Sequence, residues 1–194
     1  MEIERAVLGV DTLGPGSRFA VWVNGCKKHC KGCISERLQE KCPENERDVI
    51  LFLSEFDFTG IDGVTISGGE PFDQIVDLEK MVVYLFELGI RDILIYTGYT
   101  KEQLESWHDD RVKSIFNKIA VLIDGPYIAE LDLGEDNLKG SLNQRIFYFN
   151  SELKNKYQIY HKKERKMQEF NVGNYSLAVG IPDKQFIRKF TKNN

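Results

Sequence analysis

Apolar residues along this chain fall into short runs separated by longer amphipathic stretches. Phe19 to Val23 (FAVWV) is an unbroken apolar run stopped by Asn24-Gly25, the pattern of a buried strand entering a turn. A helical stretch around Arg47 to Phe56 follows, then a strand from Val64 to Ser67, halted by Gly68-Gly69. From Gln74 to Leu88 the apolar positions Ile75, Leu78, Met81, Val82 and Leu85 recur at helical spacing, and Gly89 stands where a left-handed cap would close the helix. The order then repeats. A strand spans Ile93 to Tyr96, Thr100 opens a helix with Gln103 placed for a capping box, and strands are expected at Ala120 to Ile123 and Ile146 to Phe149.

Alternation of this kind predicts an α/β fold with right-handed crossovers and a mostly parallel sheet, whose strand C-terminal ends gather the functional loops. Those loops read CKKHCKGC, SGGEPF, YTGYT and IDGPY. From Asn150 the pattern changes: SELKNKYQIYHKKERKMQEF is rich in charge and alternates only weakly. The expectation is a core over residues 1–149 and a small C-terminal extension over 150–194, formed as a hairpin or partly flexible segment, with IPDKQFIRKF as a short helix.

The length, 194 residues, suits one sizeable core rather than two catalytic domains. A formal net charge of -4 argues against a broad basic surface for nucleic acid, since phosphate neutralisation needs clustered Lys and Arg. MEIERAVLGV lacks a basic region followed by an apolar stretch, and no run approaches the roughly 18 apolar residues of a membrane span. The chain is therefore expected in the cytoplasm, away from membranes.

That compartment decides how the cysteines are read, because thiols in a reducing environment persist as ligands or nucleophiles. Cys26, Cys30 and Cys33 form a C-x3-C-x2-C loop. Three thiolates on one compact loop would hold three irons of a cubane cluster and leave the fourth open for chemistry. The rival from another class is a zinc-binding interaction module, its knuckle completed by His29 or Cys42, although zinc sites usually pair two separated short spacings. His29 otherwise reads as a solvated loop residue and Cys42 as a plain thiol. Lys27, Lys28 and Lys31 would offset cluster charge, with solvation as the simpler reading.

GPGSRFAVWVNGCKKHCKGC resembles the signature of radical S-adenosylmethionine activating enzymes, and SGGEP resembles the segment that meets the methionyl ammonium group in that superfamily. Within it, YTGYT, VLIDGPYIAELDL and KGSLNQRI make the chain most similar to the activators of anaerobic ribonucleoside-triphosphate reductase, over about residues 5 to 149. The resemblance implies a partial (β/α) barrel with a 4Fe-4S cluster on Cys26, Cys30 and Cys33 and S-adenosyl-L-methionine on the open iron. It implies one-electron cleavage of that cofactor to a 5'-deoxyadenosyl radical, which takes a hydrogen atom from a glycine of the partner reductase. An electron donor such as flavodoxin or ferredoxin is implied as well. Gly68, Gly69 and Glu70 carry over to the methionyl end, and Gly32 and Ile34 to backbone contacts with adenine. Asp124, Asn143, Gln144 and Arg145 match family positions near the cofactor or partner, while Asp124-Gly125 is also good turn chemistry. Tyr96 and Tyr99 read as packing residues. Another radical reaction on the same core, such as activation of a different glycyl-radical enzyme or 7-carboxy-7-deazaguanine formation, is the rival within the superfamily.

Overall fold

A computed structural model describes residues 1–173 and 175–183. Six strands form one sheet in chain order: β1 (Ile3–Val10), β2 (Arg18–Val23), β3 (Gly63–Gly68), β4 (Ile93–Tyr96), β5 (Val121–Asp124) and β6 (Arg145–Tyr148). Strands β2 to β5 run parallel, and antiparallel β1 and β6 close the two edges. The alternation therefore yields the expected α/β sheet with its parallel centre. The N-terminal strand is an addition: its half-buried alternation offers little apolar signal, and pairing with β2 is what holds it.

Side chains alternate between the two faces of each strand, and each face has its own cover. Phe19, Val21, Ile66, Ile93, Ile95 and Leu122 face helices α1 (Val49–Ser54), α2 (Ile75–Glu87), α3 (Lys101–Ser106) and α4 (Asp110–Phe116). Local chemistry sets the helix starts: Asp48 accepts from the amides of Ile50 and Leu51, and Thr100 and Gln103 form the expected capping box. Helix α4 went unread because its seven residues span barely two turns, yet Asp109 caps it and Val112, Ile115 and Phe116 are buried.

The opposite face carries Ala20, Leu94, Val121 and Ile123. It is covered by helix α5 (Ser151–His161) and by the hairpin β7 (Met167–Val172) and β8 (Tyr175–Gly180). The first part of the stretch expected as hairpin or flexible extension is thus a helix. Asn150 caps it through the Glu152 amide, and Tyr157 and Tyr160, three residues apart on one face, are buried against the sheet. The short helix expected from Ile181 to Phe190 falls mostly outside the described residues. No helix among the described residues is long and apolar enough to cross a membrane.

Arg18, the last residue of GPGSR, is fully buried where β2 begins, at the far end of the strand from the cysteines. Its guanidinium donates to Thr65 Oγ1 at 2.7 Å, to the carbonyls of Pro15, Val64 and Asp92, and to Asp92 Oδ1 at 3.2 Å. Tyr157 of α5 donates its hydroxyl to the same Asp92 oxygen. The arginine in that signature segment is thus an internal tie between the sheet and α5.

Candidate functional site

The C-terminal ends of β2 to β4 and the loops that follow β2 to β5 border a cavity of about 640 Å³. Cys26, Cys30 and Cys33 line it together with Gly32, Ile34, Gly68, Gly69 and Glu70, so two segments distant in sequence meet there. Backbone pairing brings them together. The amide of Gly69 donates to the Val23 carbonyl at 2.7 Å and that of Glu70 to the Gly25 carbonyl at 2.8 Å, which extends the β2–β3 ladder into both loops. A side chain at position 69 would put its Cβ 2.2 Å from the Gly25 oxygen, so the glycine is required by close approach.

All four cysteines are free thiols, each partly buried. Among the described residues no three Cys, His, Asp or Glu side chains already converge tightly enough to hold a metal ion. The three loop thiols border the cavity as separate groups, and Cys42 does not line it. Burial pushes the Cys26 thiol above its ordinary pKa, while the amides of Lys28 and His29 point at it and pull the other way. Amide donors aimed at a sulfur are what a metal-bound thiolate uses to settle its charge. With three thiols on one loop beside an open cavity, the residues present fit an iron-sulfur cluster.

Glu70 is 1 % exposed, and three donors converge on it: the Phe72 amide at 3.0 Å and Thr97 Oγ1 at 2.9 Å on Oε1, and the Gly98 amide at 2.7 Å on Oε2. Burial outweighs these bonds and raises its pKa to about 7. The carboxyl therefore locks the SGGE loop to the loop after β4. Asp73 does the same from one turn further on, accepting from the Lys27 amide at 2.9 Å and the Tyr99 hydroxyl at 2.8 Å. Lys28 lies over the Tyr99 ring, its Nζ 3.6 Å from the centroid, rather than free in solvent. Tyr96 also lines the cavity, and its buried hydroxyl has no partner among the described residues.

The structure sets Asp124, Asn143 and Arg145 apart from this lining and keeps Gln144 within it. Asp124 and Arg145 face each other across the β5–β6 pair, and the carboxylate accepts from Arg145 Nε at 2.9 Å and from the first amide of α3 at 2.6 Å. Arg145 also holds Glu102, whose pKa it draws down to about 2. Asn143 donates to the Pro126 carbonyl at 2.7 Å. These groups brace the loops after β4 and β5. Gln144 joins the same brace through Gly125 and Gly140 while reaching the cavity.

Sequence reasoning missed Asp73 and Thr97, since a carboxylate and a hydroxyl in loops carry no spacing signal. It also missed the wall made by Met167, Leu177, Val179, Ile181 and Pro182, which the hairpin brings over the cavity.

A family model described as a 4Fe-4S single cluster domain matches residues 12–147. The chain is 31% identical over 148 residues to the anaerobic ribonucleoside-triphosphate reductase-activating protein of Pasteurella multocida, a match covering 70% of this chain and 90% of that one. It is 27% identical over 143 residues to the protein so named from Escherichia coli K12, with the same coverage, and 30% identical over 148 residues to that of Enterobacteria phage T4, covering 69% and 85%.

Proposed function

The chain belongs to the family of anaerobic ribonucleoside-triphosphate reductase-activating proteins and has their 4Fe-4S single cluster domain, and from that premise we propose that it is a radical S-adenosylmethionine enzyme that installs a glycyl radical on such a reductase. The observation that carries this reading is the meeting of the C-x3-C-x2-C loop and the SGGE loop on one cavity at the C-terminal ends of parallel strands. We read the open six-stranded sheet as the partial barrel of that superfamily, with the cavity at its top.

Cys26, Cys30 and Cys33 hold the cluster, and Gly68, Gly69 and Glu70 receive the methionyl end of S-adenosylmethionine. A cluster held there would supply the one-electron reduction by which S-adenosylmethionine is cleaved and a hydrogen atom drawn from a glycine of the partner. A flavodoxin or ferredoxin restores the electron. Glu70 lines the cavity, and its Oε2 has one protein donor and lone-pair capacity for a second, so it would give a cofactor ammonium a buried acceptor, and the ammonium charge would keep the carboxyl ionised. Gly32 and Ile34 present backbone toward the adenine. Asp124 and Arg145 keep the loops after β4 and β5 in place, and Asn143 and Gln144 hold the adjoining turn. The loops and the hairpin exclude water around the reacting atoms.

Anaerobic reconstitution tests this reading. The chain should take up about four iron and four sulfide and lose them on Cys26→Ala, Cys30→Ala or Cys33→Ala but not on Cys42→Ala. With a strong reductant it should release methionine and 5'-deoxyadenosine, and with the cognate reductase it should give a glycyl-radical signal by electron paramagnetic resonance. A colourless zinc protein would support the interaction-module alternative. Cofactor cleavage stimulated by a small molecule, with a silent reductase, would move the assignment to a different radical enzyme.

A further inference from the structure

The family match ends at residue 147, yet residues after it grip the loop that faces the cysteines. Arg165 follows α5 and its side chain is 5 % exposed. The guanidinium donates to the carbonyls of Asp136 at 2.9 Å, Lys139 at 2.8 Å, Gly140 at 3.2 Å and Pro182 at 3.0 Å, and pairs with Asp132 Oδ1 at 2.9 Å. Only a planar fork of donors satisfies so many acceptors from one side chain. The other Asp132 oxygen accepts the Tyr127 hydroxyl at 3.1 Å.

The Tyr127 ring then lies close to two glycines. A Cβ at Gly140 would lie 3.1 Å from Tyr127 Cδ2, and one at Gly32, between Cys30 and Cys33, would lie 3.8 Å from Tyr127 Cε1. The ring borders the cavity that Cys30 and Cys33 also line. Bonds therefore run from Arg165 through Asp132 to a ring that lies beside the cysteine loop.

We propose that Arg165 is a positioning residue for the cysteine loop, acting through Asp132 and the Tyr127 ring, so that the segment after the family match sets the conformation in which Cys30 and Cys33 meet the cluster. The path itself is a property of the metal-free chain; its effect on the cluster rests on the reading given under Proposed function.

Two measurements separate these. In the metal-free chain, hydrogen–deuterium exchange of the amides at 28–34 should quicken several-fold in Arg165→Ala and in Tyr127→Phe, with the double variant no faster than Arg165→Ala alone and β3 and α2 unchanged. Arg165→Lys should behave as Arg165→Ala, because it keeps the charge and loses the fork. If Arg165→Ala fails to fold, Tyr127→Phe and Asp132→Asn carry the comparison. Quickening confined to 132–140 and 165–182, or additive effects of the two substitutions, would overturn the path. In the reconstituted protein the same variants should retain iron but change the line shape of the reduced cluster in electron paramagnetic resonance. An unaltered spectrum beside a quickened loop would overturn the link to the cluster, whereas wild-type protein that assembles no cluster would sink the cluster reading and leave the exchange result standing.

Discussion

Glu70 lies between two opposed forces. Burial favours its neutral form, and donors from Phe72, Thr97 and Gly98 favour the carboxylate; burial prevails, placing its pKa at about 7 against an ordinary 4.5. Between those values the folded chain keeps a proton that the unfolded chain releases, so stability falls as pH rises through the window and levels off above it. Glu70→Gln cannot titrate. In the metal-free protein, denaturation midpoints taken from about pH 5 to about pH 8 should decline more steeply for wild type than for this variant. Parallel curves would show that Glu70 is already ionised throughout. Its neighbour gives a sharper steric expectation: Gly69→Ala drives a Cβ against the Gly25 carbonyl and should cost about 1–3 kcal/mol or more, read as a lowered midpoint in urea. In the sequence the cysteine triad stands out by its spacing, and SGGE only by its resemblance to a known segment and its place after that triad; the structure brings both to one cavity. The bonds from Glu70 and Asp73 to the loop after β4 were not legible there, since they join residues brought close only by the sheet.

Helix α5 shows why some elements escaped the pattern. The apolar positions it turns inward, Leu153, Tyr157 and Tyr160, are few and set among Lys, Glu and Gln, while Ile159 points outward, so the charge hides the helical spacing. What holds it is tertiary: the Tyr157 ring lies 5.8 Å from the Arg18 guanidinium, and its hydroxyl meets Asp92, which is 4 % exposed. One Asp92 oxygen already has no hydrogen-bond partner among the described residues and only Lys156 Nζ at 3.7 Å. Tyr157→Phe takes a donor from this buried carboxylate and should cost about 1–3 kcal/mol in a urea titration, a loss larger than an exposed tyrosine could give. No change would mean that Arg18 alone satisfies Asp92. By contrast α2 and the start of α3 were legible, because the apolar periodicity of one and the capping box of the other are local signals that need no partner.

At the scale of the molecule, the sheet has two apolar faces, and only one is covered by α1 to α4. The parallel order of β2 to β5 followed from the alternation of strands and helices, whereas nothing in the alternation says what lies on the other face. The structure puts Tyr157, Tyr160 and Val179 there, all from beyond residue 149, against Leu94, Val121, Ile123, Val10 and Ala20. A chain ended at residue 149 would leave that face and the cavity wall open to water, and burying apolar surface is the main force holding a sheet to its cover. We expect residues 1–149 expressed alone to bind a hydrophobic dye, to lose the cooperative unfolding of the full chain and to assemble less cluster. Addition of residues 150–183 as a separate peptide should partly reverse the dye binding. If the shortened chain instead unfolds cooperatively at the full chain's midpoint, then 1–149 is a self-sufficient core and the later residues serve only to wall the cavity, in which case their removal should change access to the cysteines, measured by thiol alkylation rate, without touching stability.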